Sequence, residues 1–348
     1  MPRIAGVATA LPQYKLAQED AKAFARKVFG DRPAIDKLLS VFDNSLIDER
    51  SFVVDHDWFE QPHDFTEVND LYIEKALELS KEAICKLSDQ LGFALDSIDA
   101  IIFISTTGLS TPSIDARLFN ILPFNKHIKR IPIWGLGCAG GAAGIARAHD
   151  IAKGDPKARV LVVSVELCGL AFQKNDKDKS SIIATALFGD GAAACLVVGD
   201  NVEATGPTIA DTMSTIYTDT LDVMGWRITG EGFKVVLSRD IPTIVRSLVH
   251  ENIGEMLSRN SLDYSDLSHF VAHPGGKKVL EAYEEALGLD QNDLRHSYGV
   301  LKDHGNMSSA TVFFILERYL KDRAVTEGYG LLSALGPGFC SELVLLKW

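Results

Sequence analysis

Short, almost unbroken apolar runs that end in glycine or a polar turn constrain this chain more than any other feature. Asp99-Ala-Ile-Ile-Phe-Ile-Ser105, Arg130-Ile-Pro-Ile-Trp134, Arg159-Val-Leu-Val-Val-Ser164 and Ala192-Ala-Ala-Cys-Leu-Val-Val198 are such runs. A strand covered on one face alternates apolar and polar residues, whereas a strand apolar throughout is covered on both, so these runs predict a buried parallel or mixed sheet. Between them, residues 67–91 carry apolar side chains at helical spacing, and a second helix is expected from near Cys138 to about Ala152. Strands alternating with helices read as an α/β layered fold.

The rhythm returns in the second half. Leu95-Asp-Ser-Ile-Asp-Ala-Ile-Ile-Phe-Ile-Ser105 is echoed by Leu262-Asp-Tyr-Ser-Asp-Leu-Ser-His-Phe-Val-Ala272, each an acidic turn followed by an apolar strand. Phe188-Gly-Asp-Gly before one apolar strand is echoed by Leu335-Gly-Pro-Gly-Phe before another. We read an internal duplication with its junction near residues 200–210, giving halves 1–205 and 206–348. A chain of 348 residues with 46% apolar residues has the material for two such core units.

Composition narrows the function classes. No run of about 18 apolar residues is present, which argues against a membrane-spanning helix. The apolar start, Arg3 to Pro12, reads as a first strand rather than a leader. The five cysteines, at 85, 138, 168, 195 and 340, are widely spaced and form no Cys-x-x-Cys pair. That pattern predicts reduced thiols in a cytoplasmic protein, with neither a zinc site nor a disulfide framework. A net charge of −12 speaks against a nucleic-acid-binding surface.

Three glycine-flanked segments carry chemistry: Gly135-Leu-Gly-Cys138-Ala-Gly-Gly, Ala272-His273-Pro-Gly-Gly and Gly305-Asn306-Met-Ser-Ser-Ala. A cysteine among small residues is commonly a packing residue, a histidine at a strand end a structural one, and an asparagine before a helix an N-cap. Their joint occurrence at strand–turn–helix edges, where α/β sites form, points to function. A cysteine at a helix N-terminus is expected to have a lowered pKa, and the nearby N–H groups can stabilise an oxyanion. The three groups together suit a condensing reaction. Cys138 thiolate, paired with protonated His273, takes an acyl group from a thioester. His273 and Asn306 then donate hydrogen bonds to an enolate formed by decarboxylation, so no metal or other cofactor is expected. The same stretch also spells Gly135-x-Gly137-x-x-Gly140 with Glu166 ending the next strand, a dinucleotide fingerprint with a thiol in its phosphate turn.

With Phe188-Gly-Asp-Gly and Gly336-Pro337-Gly338, these segments resemble the type III polyketide synthases, the chalcone synthase family. Val271-Ala-His-Pro-Gly-Gly and Gly305-Asn-Met-Ser-Ser-Ala fit this branch better than the β-ketoacyl-carrier-protein synthases III. Ile131-Pro-Ile-Trp-Gly-Leu-Gly-Cys-Ala-Gly-Gly and Thr106-Thr-Gly-Leu-Ser-Thr-Pro resemble bacterial members, above all the Bacillus-type alkylpyrone synthases. The resemblance implies a duplicated thiolase-like αβαβα fold with mixed five-stranded sheets. It also implies a homodimer, coenzyme A thioester substrates, and extension with malonyl-CoA without a carrier protein.

The same resemblance makes Phe188 the aromatic beside the thiol that orients the malonyl group. Counting back from Arg239-Asp-Ile-Pro242 places Val235 where plant enzymes carry a second aromatic gatekeeper. Cys168 and Ala171 fall on the pocket wall, Ser308 falls near the region that sets chain length, and Gly336-Pro337-Gly338 belongs to the site. Small, apolar lining favours an aliphatic starter, each buried methylene being worth roughly 0.8 kcal/mol. The expected reaction is therefore condensation of malonyl-CoA onto a fatty acyl-CoA starter, giving alkylpyrones or alkylresorcinols. Arg50, Lys277 and Lys278 are the candidates for holding the coenzyme A phosphates. Competing readings are a carrier-protein-dependent ketoacyl synthase and a catalytically silent acyl-binding scaffold. A papain-like protease, which also uses Cys, His and Asn, would be a disulfide-rich secreted chain with its thiol near the N-terminus.

Overall fold

The protein's structure, a computed structural model, describes residues 1–30, 35–238 and 240–348. Its strands are β1 (Arg3–Ala10), β2 (Tyr14–Ala17), β3 (Glu49–Phe52), β4 (Ala100–Ile104), β5 (Lys129–Ile133), β6 (Arg159–Leu167) and β7 (Asp190–Val198). These are followed by β8 (Thr208–Ile216), β9 (Met224–Thr229), β10 (Gly232–Leu237), β11 (Leu267–Ala272), β12 (Tyr329–Gly336) and β13 (Cys340–Lys347). Nine of them form one hydrogen-bonded sheet in the order β11-β12-β13-β8-β1-β7-β6-β4-β5.

The duplication is visible in the pairing. In the first half β4 runs parallel to β6, β6 antiparallel to β7, and β7 antiparallel to β1. In the second half β11 runs parallel to β12, β12 antiparallel to β13, and β13 antiparallel to β8. The echoed segments fold alike: short turns at Leu95–Ser97 and Tyr264–Asp266 lead into β4 and β11. The first half adds β5 beside β4, and no described strand takes the corresponding place beside β11, so the halves contribute five and four strands. The two series join where Arg3 of β1 meets Thr208 of β8.

Alternation along each strand shows that both faces are covered. Val160 and Val162 of β6 face a central core with Ala142, Ile145 and Ala146 of the helix Gly140–Gly154 and Val312, Phe313 and Ile315 of the helix Thr311–Lys321. Leu161, Val163 and Val165 face an outer core with Ala76, Ala83, Ile84 and Leu87 of the helix Phe65–Leu91. In the second half Leu332 and Ala334 of β12 point to the same central helices, while Leu331 and Leu335 meet the helices Ile241–Arg259 and Lys277–Leu287. The two series of strands, continuous through β1 and β8, thus share the central helices on one face and carry their own outer helices on the other.

The long outer helix has local determinants at both ends. The Asp64 carboxylate accepts the N–H groups of Thr66 and Glu67, the Glu67 side chain reaches back to Asp64 N, and Gly92 closes the helix in left-handed backbone. β5 departs from expectation. Its run is apolar, but it is the sheet's edge strand and largely accessible, and Trp134 just beyond it is 48% exposed. Pro132, which has no N–H for a ladder, is compatible with that edge position.

Candidate active site

The three chemical residues lie in turns between elements: Cys138 and Asn306 shortly before the two central helices, His273 at the end of β11. Cys138 occupies the one-turn segment Gly137–Ala139 directly before the helix Gly140–Gly154. His273 follows the last residue of β11 and is anchored by its own N–H to the Ser333 carbonyl of β12 (2.9 Å). Asn306 follows the helix Arg295–His304 and pairs with Phe188 in an isolated parallel bridge. Asn306 N donates to Leu187 O (2.8 Å), and Gly189 N donates to Asn306 O (3.0 Å).

Hydrogen bonds link the three. The Cys138 thiol lies 3.6 Å from the Ser308 hydroxyl, and Ser308 N donates to Asn306 Oδ1 (2.8 Å). Because Oδ1 is engaged by that N–H, the amide is oriented with Nδ2 as donor, reaching Gly275 O at 3.3 Å. Gly275 N donates in turn to the His273 carbonyl (3.1 Å). His273 is 4% exposed, and neither ring nitrogen has a hydrogen-bond partner among the described residues, leaving both for substrate.

The electrostatics differ from the sequence expectation. Cys138 keeps part of its surface accessible, but protein atoms crowd its thiol, and desolvation pushes it up to about 11. Hydrogen bonds with Ser308 and Asn306 offset this only in part, and the Glu166 carboxylate adds to the rise. Burial likewise pushes His273 down to about 4. Burial thus opposes both the thiolate at Cys138 and the imidazolium at His273, against the sequence expectation that both would be favoured.

Glu166 is fully buried, with its carboxylate accepting from Thr106 N (3.0 Å), Thr106 Oγ1 (2.9 Å), Thr107 Oγ1 (2.9 Å) and the Ser309 hydroxyl. A carboxylate enclosed in this way cannot bind a ribose, which removes the dinucleotide reading. Gly336 and Pro337 close the other side of the thiol turn. A Cβ on Gly336 would lie 2.3 Å from Leu136 O, and one on Gly137 would lie 2.7 Å from Pro337 Cδ. Gly338 completes the turn between β12 and β13.

A cleft partly open to solvent meets the site at Phe188. Phe188, Cys168, Ala171 and Val235 line it, together with Phe24 and Phe59. Val235 of β10 stands opposite Trp226 of β9, and the Trp226 ring packs against Phe188 (6.4 Å between centroids) and Phe233 (6.1 Å). Arg239, which anchored the count to Val235, lies outside the described residues.

Comparison with known proteins decides the family. The model for chalcone and stilbene synthases, N-terminal domain, matches residues 3–201, and that for the C-terminal domain matches residues 208–348. The chain belongs to the chalcone and stilbene synthase family. It is 46% identical to the Bacillus subtilis (strain 168) protein named "Putative chalcone synthase", across 100% of this chain and 99% of that one. It is 37% identical to a 1,3,6,8-tetrahydroxynaphthalene synthase of Streptomyces peucetius subsp. caesius, across 99% and 93%. The crystal structure of the 1,3,6,8-tetrahydroxynaphthalene synthase of Streptomyces coelicolor A3(2), a bacterial type III polyketide synthase, superposes with a TM-score of 0.94 at 29% identity, covering 99% of each chain. This chain is thus an acyltransferase of the type III polyketide synthase kind, with the thiolase-like fold of that family.

Within this chalcone synthase-family site, the charged residues named from sequence separate. Lys277 and Lys278 open the helix directly after the His273 turn; Lys278 is exposed, and Lys277 pairs with Glu281 at 3.4 Å. Arg50 is not at an open mouth. It is 2% exposed, and its guanidinium is committed to Thr185 O, Phe188 O and Gln18 Oε1, so it is not available to coenzyme A phosphates. Trp226 was missed by sequence reasoning; the hairpin register that sets it across from Val235 is its only signal. All five cysteines are free thiols, and no described helix is long and apolar enough to cross a membrane.

Proposed function

We propose that this enzyme condenses malonyl-CoA onto a fatty acyl starter held on Cys138, yielding alkylpyrones or alkylresorcinols. The observation that carries the starter class is the cleft that meets the site at Phe188, whose apolar wall includes Leu16, Phe24, Phe52, Phe59, Ala171 and Phe172. An unbranched acyl tail gains roughly 0.8 kcal/mol per methylene buried there. Coenzyme A as the carrier agrees with a solved structural relative, CsyB complexed with CoA-SH, at a TM-score of 0.92 and 26% identity.

The residues divide the work as follows. Neutral His273 accepts the Cys138 proton as sulfur adds to the starter thioester, and returns it to the departing coenzyme A thiolate. Malonyl-CoA then loses carbon dioxide, and the bonding pair moves into an enolate. A ring N–H of His273 and Asn306 Nδ2 donate to the enolate oxygen. The enolate carbon attacks the acyl–Cys138 carbonyl, a carbon–carbon bond forms, and the sulfur leaves. Phe188 packs beside the malonyl group during decarboxylation. We further propose a cytoplasmic homodimer, with Lys277 and Lys278 near the coenzyme A phosphates and no metal or cofactor in the reaction.

The test is incubation of the purified protein with malonyl-CoA and an acyl-CoA series, with products identified by mass. Medium-to-long acyl-CoAs are expected to give triketide pyrones or tetraketide resorcinols. Faster turnover of aromatic starters, or a product formed from malonyl-CoA alone, would overturn the fatty acyl assignment.

A further inference from the structure

We infer that Arg50 is a positioning residue for decarboxylation, holding Phe188 and Asn306 across from one another. The inference rests on the condensing reading above. Its basis is an account of four consecutive carbonyls. The helix Lys179–Leu187 ends beside the site, and the carbonyls of its last turn need partners outside the helix. Arg50 Nη1 donates to Thr185 O and to Phe188 O, both at 2.7 Å. Gln18 Nε2 donates to Ala186 O (2.8 Å), and the same Gln18 accepts from Arg50 Nη2 through Oε1 (3.0 Å). The remaining carbonyl, Leu187 O, is taken by Asn306 N. One guanidinium and one amide therefore fix the segment against which Asn306 is paired.

Arg50 also touches the Asn306 side of that pair. Gly305 has φ +69°, and a Cβ there would stand 2.8 Å from Arg50 Cγ and Cδ. The aliphatic stem thus fills the space a side chain at 305 would need, and the backbone entering Asn306 lies directly on it. No carboxylate lies within ion-pair distance of the guanidinium among the described residues. Its charge is balanced by the helix C-terminus and, at longer range, by Asp190, and burial lowers its pKa to about 9. A cation kept at this burial for packing alone is poorly explained, since an apolar side chain of similar volume avoids the desolvation cost. A planar fork that reaches two carbonyls and an amide at once does explain it, and lysine cannot reproduce that geometry.

The experiment separates two half-reactions in wild type and Arg50→Lys. Acylation of Cys138 is followed by the mass of the intact protein after mixing with octanoyl-CoA. Enolate formation is followed as acetyl-CoA release from malonyl-CoA in a Cys138→Ala background. Misplacing the enolate donors is expected to cut decarboxylation roughly 100-fold in Arg50→Lys while acylation stays within about twofold. Gln18→Ala, which removes one tooth of the clasp, is expected to show the same split at smaller amplitude and serves if Arg50→Lys does not fold. Parallel loss of both half-reactions, or retention of both, in the folded variants would overturn the positioning role. If wild type neither acylates Cys138 nor releases carbon dioxide, the condensing reading itself fails, and this role with it.

Discussion

The Ser308 hydroxyl stands 3.6 Å from the Cys138 sulfur while the Ser308 backbone adopts φ 48°, left-handed space that costs a non-glycine residue roughly 1–3 kcal/mol. The same residue's N–H fixes the Asn306 amide, so one strained position serves both the thiol and the enolate donor. Burial of the thiol is the dominant influence on its proton, with Ser308 opposing it. Iodoacetamide alkylation of Cys138 should therefore climb through the alkaline range toward the pKa of about 11, with no plateau at neutral pH. Ser308→Ala should shift that curve further up. A rate already at plateau near neutrality would show an ion pair with His273 instead.

Cys138→Ala should abolish condensation but leave malonyl-CoA decarboxylation measurable, because His273 and Asn306 keep their anchors on Ser333, Leu187 and Ser308. Acetyl-CoA release from malonyl-CoA is the readout. Condensed product from the variant would sink the covalent mechanism.

His273 links the site to acid stability. Its folded pKa of about 4 lies below the ordinary 6.5, so the unfolded chain takes up the proton first as pH falls. Stability from this group is complete above 6.5 and drains away as pH drops toward 4, by roughly 3 kcal/mol in all. His273→Gln, which cannot titrate, should lose correspondingly less stability over that window in urea unfolding curves. Identical pH dependence in the two proteins would mean that the imidazole is not desolvated.

What the sequence disclosed, and what it hid, follows from the range of the forces. Continuous apolar runs identified β4, β6 and β7 because burial on both faces is written residue by residue. The same rule misjudged β5, since an apolar run cannot say whether a further strand lies beside it. The thiol turn, the His273 turn and the Asn306 turn were legible as local glycine chemistry, and the fold brings them together. The Cys138 proton was not legible: the helix terminus that lowers its pKa is local, whereas the burial that raises it comes from distant segments. Arg50 misled for a related reason. A lone arginine reads as surface charge, and the carbonyls that hold it lie 135 and 138 residues further along the chain.

Lys277 is the mildest test of the proposed coenzyme A contact, since it is partly exposed and engages Glu281 only at 3.4 Å. An exposed pair of this kind contributes little to stability. Lys277→Glu should leave the melting temperature nearly unchanged and raise the KM for malonyl-CoA, with kcat preserved. An unchanged KM would remove Lys277 from the site.

The cleft gives the most direct handle on starter length. Phe24 is buried where its ring meets His56 (5.3 Å), Phe172 (5.5 Å) and Phe59 (6.2 Å), and all four side chains line the space proposed for the acyl tail. Phe24→Ala removes a core ring and should cost roughly 3–5 kcal/mol of stability. The space it frees should accept longer tails, moving the preferred starter upward. Ala171→Leu places bulk in the same cleft and should move the preference down while disturbing the fold far less. At roughly 0.8 kcal/mol per methylene, each carbon gained or lost in burial changes kcat/KM by about fourfold, so the shifts are measurable across a series of acyl-CoAs. Both variants retaining the wild-type length preference would show that the acyl tail does not enter this cleft.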